Sequence, residues 1–114
     1  MQANTYQEEM KKFVSANTVS PEQSDLIHSA LGVTAEAGEF SDLIRKTIFY
    51  GRPLDKDHAV KELGDVCWYI ALACNVLGVS FEEVMETNIN KLNARFSSGS
   101  FTVEEANNKK EGDI

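Results

Sequence analysis

Two short acidic motifs, Glu36-Ala-Gly-Glu39 and Glu62-Leu-Gly-Asp65, constrain this chain more than any other feature, because each is set into an apolar helical pattern. A carboxylate withdrawn from water costs on the order of several kcal/mol unless something compensates it. Any fold must therefore bring these groups a partner. Residues three apart share one helix face, and at about 1.5 Å of rise per residue each motif offers two oxygen ligands roughly 4.5 Å apart along the axis. Four carboxylates converging from two helices make a site for a hard cation. Oxygen-only ligands favour Mg²⁺ or Mn²⁺ over zinc, and Mg²⁺ commonly shares a few carboxylates with substrate phosphates. The motifs thus point toward phosphate-ester chemistry.

The rest of the pattern reads as an all-α chain, an antiparallel bundle of about four helices with the acidic motifs on a central hairpin. Tyr6, Met10, Phe13 and Val14 fall at helical spacing in an otherwise polar segment, giving an amphipathic first helix over about residues 3–16 that acts as a lid or flank. Ser20-Pro-Glu-Gln23 combines an N-cap serine, a proline at the first helical position and a capping-box glutamine. A long second helix starts there and carries the stripe Leu26, Ala30, Val33, Ala37, Phe40, Ile44 and Ile48 until Gly51 and Pro53 stop it. Asp55 caps a third helix that runs to Gly78, with Val60, Leu63, Cys67, Ile70, Cys74 and Leu77 on one face. Ser80-Phe-Glu-Glu83 repeats the capping box for a fourth helix ending near Phe96. Short connections make successive helices antiparallel, which brings the two motifs face to face.

At 114 residues the chain is expected to form one domain, 1–114, with 97–114 a polar, weakly ordered tail. Val66 to Leu77 contains one polar residue, Asn75, and is apolar on nearly every side, so a homodimer or a dimer of dimers is expected to cover it. Cys67 and Cys74 read as small core residues and not as a disulfide or zinc pair. A net charge of −7 argues against a nucleic-acid polymer as partner, because such binding rests on Lys and Arg neutralising phosphates. With no signal pattern and no apolar run of membrane-spanning length, a cytoplasmic protein without a membrane partner is expected.

Acids three apart are common on solvated helix faces, and a solvated acidic ridge is the competing reading. Here helical steps from Glu62 and Asp65 reach Tyr69, Leu72 and Val76, and steps from Glu36 and Glu39 reach Phe40 and Leu43. The carboxylates share a face with apolar residues. Gly38 and Gly64 each cost a helix about 1 kcal/mol relative to alanine, which close packing or room for a ligand would explain. Downstream, Asn88, Lys91 and Arg95 follow i, i+3, i+7 spacing on one face of the fourth helix, where two cations suit phosphoryl oxygens. Asn90 and Asn93 are alternatives to Asn88. Lys46 and Arg52 could reach phosphates or be solvated. His28 and His58 stand alone, outside any Glu-x-x-His pair of the di-iron kind.

Glu-x-x-Glu, a gap of 22 residues, Glu-x-x-Asp and then Asn88-Ile-Asn-Lys91-Leu-Asn-Ala-Arg95-Phe96 together resemble the MazG-like branch of the all-α nucleoside triphosphate pyrophosphohydrolases. The similarity spans about residues 26–96, and Phe49-Tyr50-Gly51 is also similar to compact members. The resemblance implies a Mg²⁺-dependent enzyme (Mn²⁺ as substitute) that cleaves a nucleoside triphosphate to monophosphate and pyrophosphate. By position, Glu36, Glu39, Glu62 and Asp65 match the metal ligands. Asn88, Lys91 and Arg95 match the polar and phosphate-binding positions. Glu39, Glu62 and Asp65 are the expected catalytic set, with Glu39 preferred over Glu36 as the group that takes the proton. Tyr6, Phe13, Trp68 and Tyr69 are candidates to stack on the base. Two alternatives accompany this expectation: hydrolysis of another pyrophosphate-linked nucleotide by the same fold, and a catalytically silent bundle that uses its acids for metal-stabilised assembly.

Overall fold

The computed structural model describes residues 1–14 and 21–108, and every regular element among them is helical. Helix α1 spans Ala3–Glu9 and tightens into a 3₁₀ turn over Met10–Phe13. Helix α2 is Pro21–Phe49, α3 Lys56–Leu77, α4 Phe81–Arg95 and α5 Val103–Asn107. The Ser20 cap and the last two residues expected of the first helix lie outside the described residues. No single described helix is long and apolar enough to cross a membrane.

The boundaries follow local chemistry. The Asp55 side chain accepts the His58 N–H at 3.0 Å and so starts α3. Gly78, at φ 71°, ends it in the left-handed conformation that glycine adopts without a Cβ penalty. Gly51, at φ 65°, turns the chain between α2 and α3 in the same way.

The chain divides into two compact units, Met1–Phe81 and Glu82–Ile114. Within the first, α2 and α3 make the most extensive helix–helix contact, and α1 with its 3₁₀ turn packs on α3. Met10, Ala71 and Leu72 form the buried core, flanked by Tyr6, Val14, Trp68, Tyr69 and Phe81. A polar knot closes its edge. Gln7, 8% exposed, donates from Nε2 to Asn75 Oδ1 at 2.7 Å and to the Val79 carbonyl at 2.8 Å, while its Oε1 accepts the Phe81 N–H at 2.8 Å. One side chain thereby ties α1 to the end of α3 and the first residue of α4. That explains the single polar residue in the apolar run, Asn75.

Two core expectations need correction. Cys74 is buried, but Cys67 is exposed. The α2 stripe is not a core face along its length: Leu26 and Ile48 are exposed, with Val33, Phe40 and Ile44 half-buried. The seam against α3 instead runs through small residues, Ser29 and Gly32, both buried. A Cβ built at Gly32 would lie closer than 3.0 Å to three atoms of the Tyr69 ring, so the ring lies on bare backbone. The close approach is at Gly32. Gly38 and Gly64 have no non-local atom within 4 Å of such a Cβ and face open space.

The second unit holds α4 beyond Phe81 and, within the segment expected to be a weakly ordered tail, the short helix α5. Thr102 caps α5, accepting the Glu105 N–H at 3.1 Å. Hydroxyls of Ser98, Thr102 and Ser97 all donate to the Glu105 carboxylate, the shortest at 2.6 Å from Ser98.

Candidate metal and phosphate site

Glu36 and Ser29 are seven residues apart on α2, two turns along the same face, so the approach through Ser29 and Gly32 aims Glu36 into the seam. On α3, Glu62 lies two turns before Tyr69, the residue that meets Gly32. The pairings run in opposite senses along the two helices, and carboxylate oxygens of Glu36, Glu62 and Asp65 come within 4.8 Å of one another. Ligands of one cation lie at most about two bond lengths apart, roughly 4.2 Å for Mg²⁺ and up to roughly 5 Å for Ca²⁺. Oxygens up to 4.8 Å apart are within that span for a cation of Ca²⁺ size, and would have to close by about 0.6 Å around Mg²⁺. Glu36 and Glu62 are half-buried and Asp65 is exposed, leaving one side open to solvent and ligand.

The electrostatics are those of crowded negative charge. Burial first, then the charges of Asp65, Glu62 and Glu39, pushes the Glu36 carboxyl above its ordinary range. Tyr6 on α1 is near enough to feel the same field: burial, with Cys67 and Asp65 behind it, raises its phenol. Glu39 is exposed one turn beyond Glu36 and joins Glu62 in the wall of a neighbouring cavity of about 380 Å³.

His58 has a role that its isolation in the sequence concealed. Its Nε2 lies 2.8 Å from Glu62 Oε1, and the Glu62 side chain is only 14% exposed against 51% for His58. A histidine hydrogen-bonded to a ligand carboxylate fixes which way that carboxylate points. The i, i+4 spacing of His58 and Glu62 is the signal that was present and unused. Asn88, Lys91 and Arg95 all lie on α4 in the second unit, Asn88 exposed and the two cations half-buried. Among the stacking candidates, Tyr69 packs edge-on to His28 and Trp68 at 5.3 and 5.0 Å, and Tyr6 edge-on to Phe81 at 6.5 Å. Phe13 is exposed.

A pair of packed helices presenting convergent acids, with no strand among the described residues, defines an all-α protein with a cluster of carboxylates at its helix seam. Residues 26–99 match the family model of the MazG nucleotide pyrophosphohydrolase domain, and the chain belongs to that family. It is also 34% identical to the Gene 37 protein of Mycobacterium phage L5, over a match covering 65% of this chain and 68% of the phage protein. No solved structure matches it.

Proposed function

We propose that this chain is a Mg²⁺-dependent nucleoside triphosphate pyrophosphohydrolase, hydrolysing ribo- or deoxyribonucleoside triphosphates at the α-phosphorus to the monophosphate and pyrophosphate. The observation that carries this reading is the convergence of Glu36, Glu62 and Asp65 in a chain of the MazG domain family. Their all-oxygen donor set suits Mg²⁺, with Mn²⁺ as a substitute. A divalent cation held there would lower the pKa of an attacking water and offset the charge gathering on the leaving pyrophosphate.

The chain's own residues do the rest. Glu36, Glu62 and Asp65, joined by Glu39, provide the negative cradle, and His58 keeps Glu62 turned toward it. Glu39 takes the proton as the water oxygen bonds to phosphorus and the bond to the β-phosphate oxygen breaks. Asn88, Lys91 and Arg95 share one face of α4 and bind phosphoryl oxygens, Arg95 through its planar fork and Lys91 as a point charge.

Self-association belongs to the same reading, as a homodimer or dimer of dimers. Val60, Leu63 and Leu77 on α3 and Ile27, Leu31 and Ile48 on α2 are all exposed, a larger apolar surface than a monomer of this size usually leaves to water. A nucleotide substrate in free solution goes with a cytoplasmic location. The test is turnover of a panel of triphosphates with Mg²⁺, products separated by chromatography, with Glu62→Gln alongside. Monophosphate and pyrophosphate in equal amounts, lost in the variant, is the expected result. Full turnover by Glu62→Gln would refute the assignment.

A further inference from the structure

The cavity beside the acidic cluster has two kinds of wall. Glu39 and Glu62 face it from the side of the cluster, and Lys46 and Arg52 line it from the end of α2 and the turn that follows. At about 380 Å³ it is within the range of small-ligand pockets. It lies wholly within the first unit, on the side of Glu62 toward the α2–α3 connection.

The two cations differ from ordinary surface charges in how they are held. Lys46 Nζ lies 2.9 Å from Asp42 Oδ2, but Arg45 also grips Asp42, through Oδ1 at 2.7 and 3.0 Å. Asp42 therefore keeps a partner if Lys46 turns to a ligand. Arg52 makes no ion pair with a described residue; its guanidinium carbon lies 5.9 Å from the Tyr50 ring centre. The left-handed turn at Gly51, the fixed φ of Pro53 and the Asp55 cap on α3 hold this connection at both ends. Four acids also line the cavity: Asp42, gripped by Arg45; Asp55, which accepts the His58 N–H; Glu62, which bonds the His58 ring; and Glu39, which the function proposed above assigns to the cation.

We propose that this cavity receives the two terminal phosphates of the triphosphate, the future pyrophosphate, with Lys46 and Arg52 as their side-chain cations. It rests on the function proposed above and adds a direction to it. The polyphosphate runs from the carboxylate cluster toward the Gly51–Asp55 turn, and the nucleoside lies on the opposite side of the cluster. Lys46 and Arg52 thus bind one product, pyrophosphate, and leave the other, the monophosphate, untouched.

Calorimetric titration with magnesium pyrophosphate and, separately, with a nucleoside monophosphate tests this without requiring turnover. Arg52→Gln and Lys46→Gln are the variants; Arg52 is exposed in the connection, so its removal leaves the packing intact, and thermal melting verifies folding. Each variant should weaken pyrophosphate binding about tenfold or more, as expected for a lost charge-assisted hydrogen bond, with monophosphate binding unchanged. Equal weakening of both ligands, or of neither, in Arg52→Gln overturns the subsite. Turnover of triphosphates by the unaltered chain with that result leaves the enzymatic reading standing. No turnover and no pyrophosphate binding by the unaltered chain removes both.

Discussion

Replacing each of three glycines by alanine separates the packing of the site from its open edge. An alanine in a helix interior is favoured over glycine by about 1 kcal/mol. At Gly38 nothing non-local approaches within 4 Å of the added Cβ, so Gly38→Ala should gain close to that amount. For a chain of this size the gain corresponds to a rise in Tm of about 4 °C. Gly64→Ala should behave alike. At Gly32 the added Cβ lies far closer than 3.0 Å to the Tyr69 ring, whereas carbon contacts settle at about 3.5–4.0 Å, so the ring or the helices must give by clearly more than about 1 Å. The ring cannot simply swing aside, since His28 and Trp68 both pack edge-on against it. Overpacking of this kind costs about 1–3 kcal/mol. Taking the upper part of that range and returning about 1 kcal/mol of propensity, Gly32→Ala loses about 2 kcal/mol, and the two alanine variants differ by about 3 kcal/mol. Urea denaturation at constant m-value measures the difference. A Gly32→Ala protein as stable as the parent would refute the close approach at Tyr69, and a destabilised Gly38→Ala would refute the open edge.

Three further outcomes follow from named contacts. Gln7→Leu strands the Phe81 N–H and the Val79 carbonyl and removes the bond to Asn75, so it should lower unfolding free energy by about 2–3 kcal/mol in urea titration. Millimolar Mg²⁺ should raise the Tm of the unaltered chain, by about 2.7 kcal/mol of stabilisation at one hundred times its Kd, and Glu62→Gln should abolish the response in a thermal-shift assay. In the second unit, hydrogen bonds from Ser98 first and then Thr102 and Ser97 hold the Glu105 carboxyl down to about 2. Because its folded value lies below the ordinary 4.5, the stabilisation is fully present above that pH and is lost as pH falls toward about 2. Amide protection over residues 97–107, taken relative to the intrinsic exchange rate at each pH, should fall across that window, and Glu105→Gln should show the lowered protection at every pH.

The order of α1 to α4 was legible because the turns between them carry local signals that nothing distant overrides, whereas α5, in the segment expected to be a weakly ordered tail, was not foreseen. Asp55 caps α3, and Gly51 and Gly78 take the left-handed turns their positions require. The spacing of the acids pointed to four converging carboxylates; Glu36, Glu62 and Asp65 do come within 4.8 Å of one another, but Glu39 lies outside that group. What the periodicity concealed was the rotation of α2. Counting apolar residues selects the Leu26–Ile48 stripe, but helices approach most closely where side chains are smallest, and Ser29 and Gly32 carry almost no hydrophobic weight in such a count. The same bias hid Gln7, which reads as surface on an amphipathic helix yet is buried because it satisfies three backbone and side-chain groups at once. His58 was passed over for a related reason. Its meaning depends on Glu62 one turn on, and an i, i+4 pair of this type is ordinary on any exposed helix.

The opposition between packing and charge at the α2–α3 seam bears on how the site would bind. Three carboxylates within 4.8 Å repel one another, and the Glu36 carboxyl, raised first by burial, is raised further by that repulsion. Left to electrostatics the helices would splay at this point. The Tyr69 ring on the bare backbone of Gly32, one turn from Glu36, resists the splaying, and the Asp55 cap with the His58–Glu62 bond fixes the α3 side of the seam. Apolar contact and local hydrogen bonds thus hold the acids together before any cation arrives. A cation entering such a site relieves repulsion already built into the fold and has little chain left to order, which removes much of the entropic cost that weakens binding to flexible ligands. Loosening Gly32–Tyr69 should therefore weaken Mg²⁺ binding as well as stability, although neither residue belongs to the carboxylate triad.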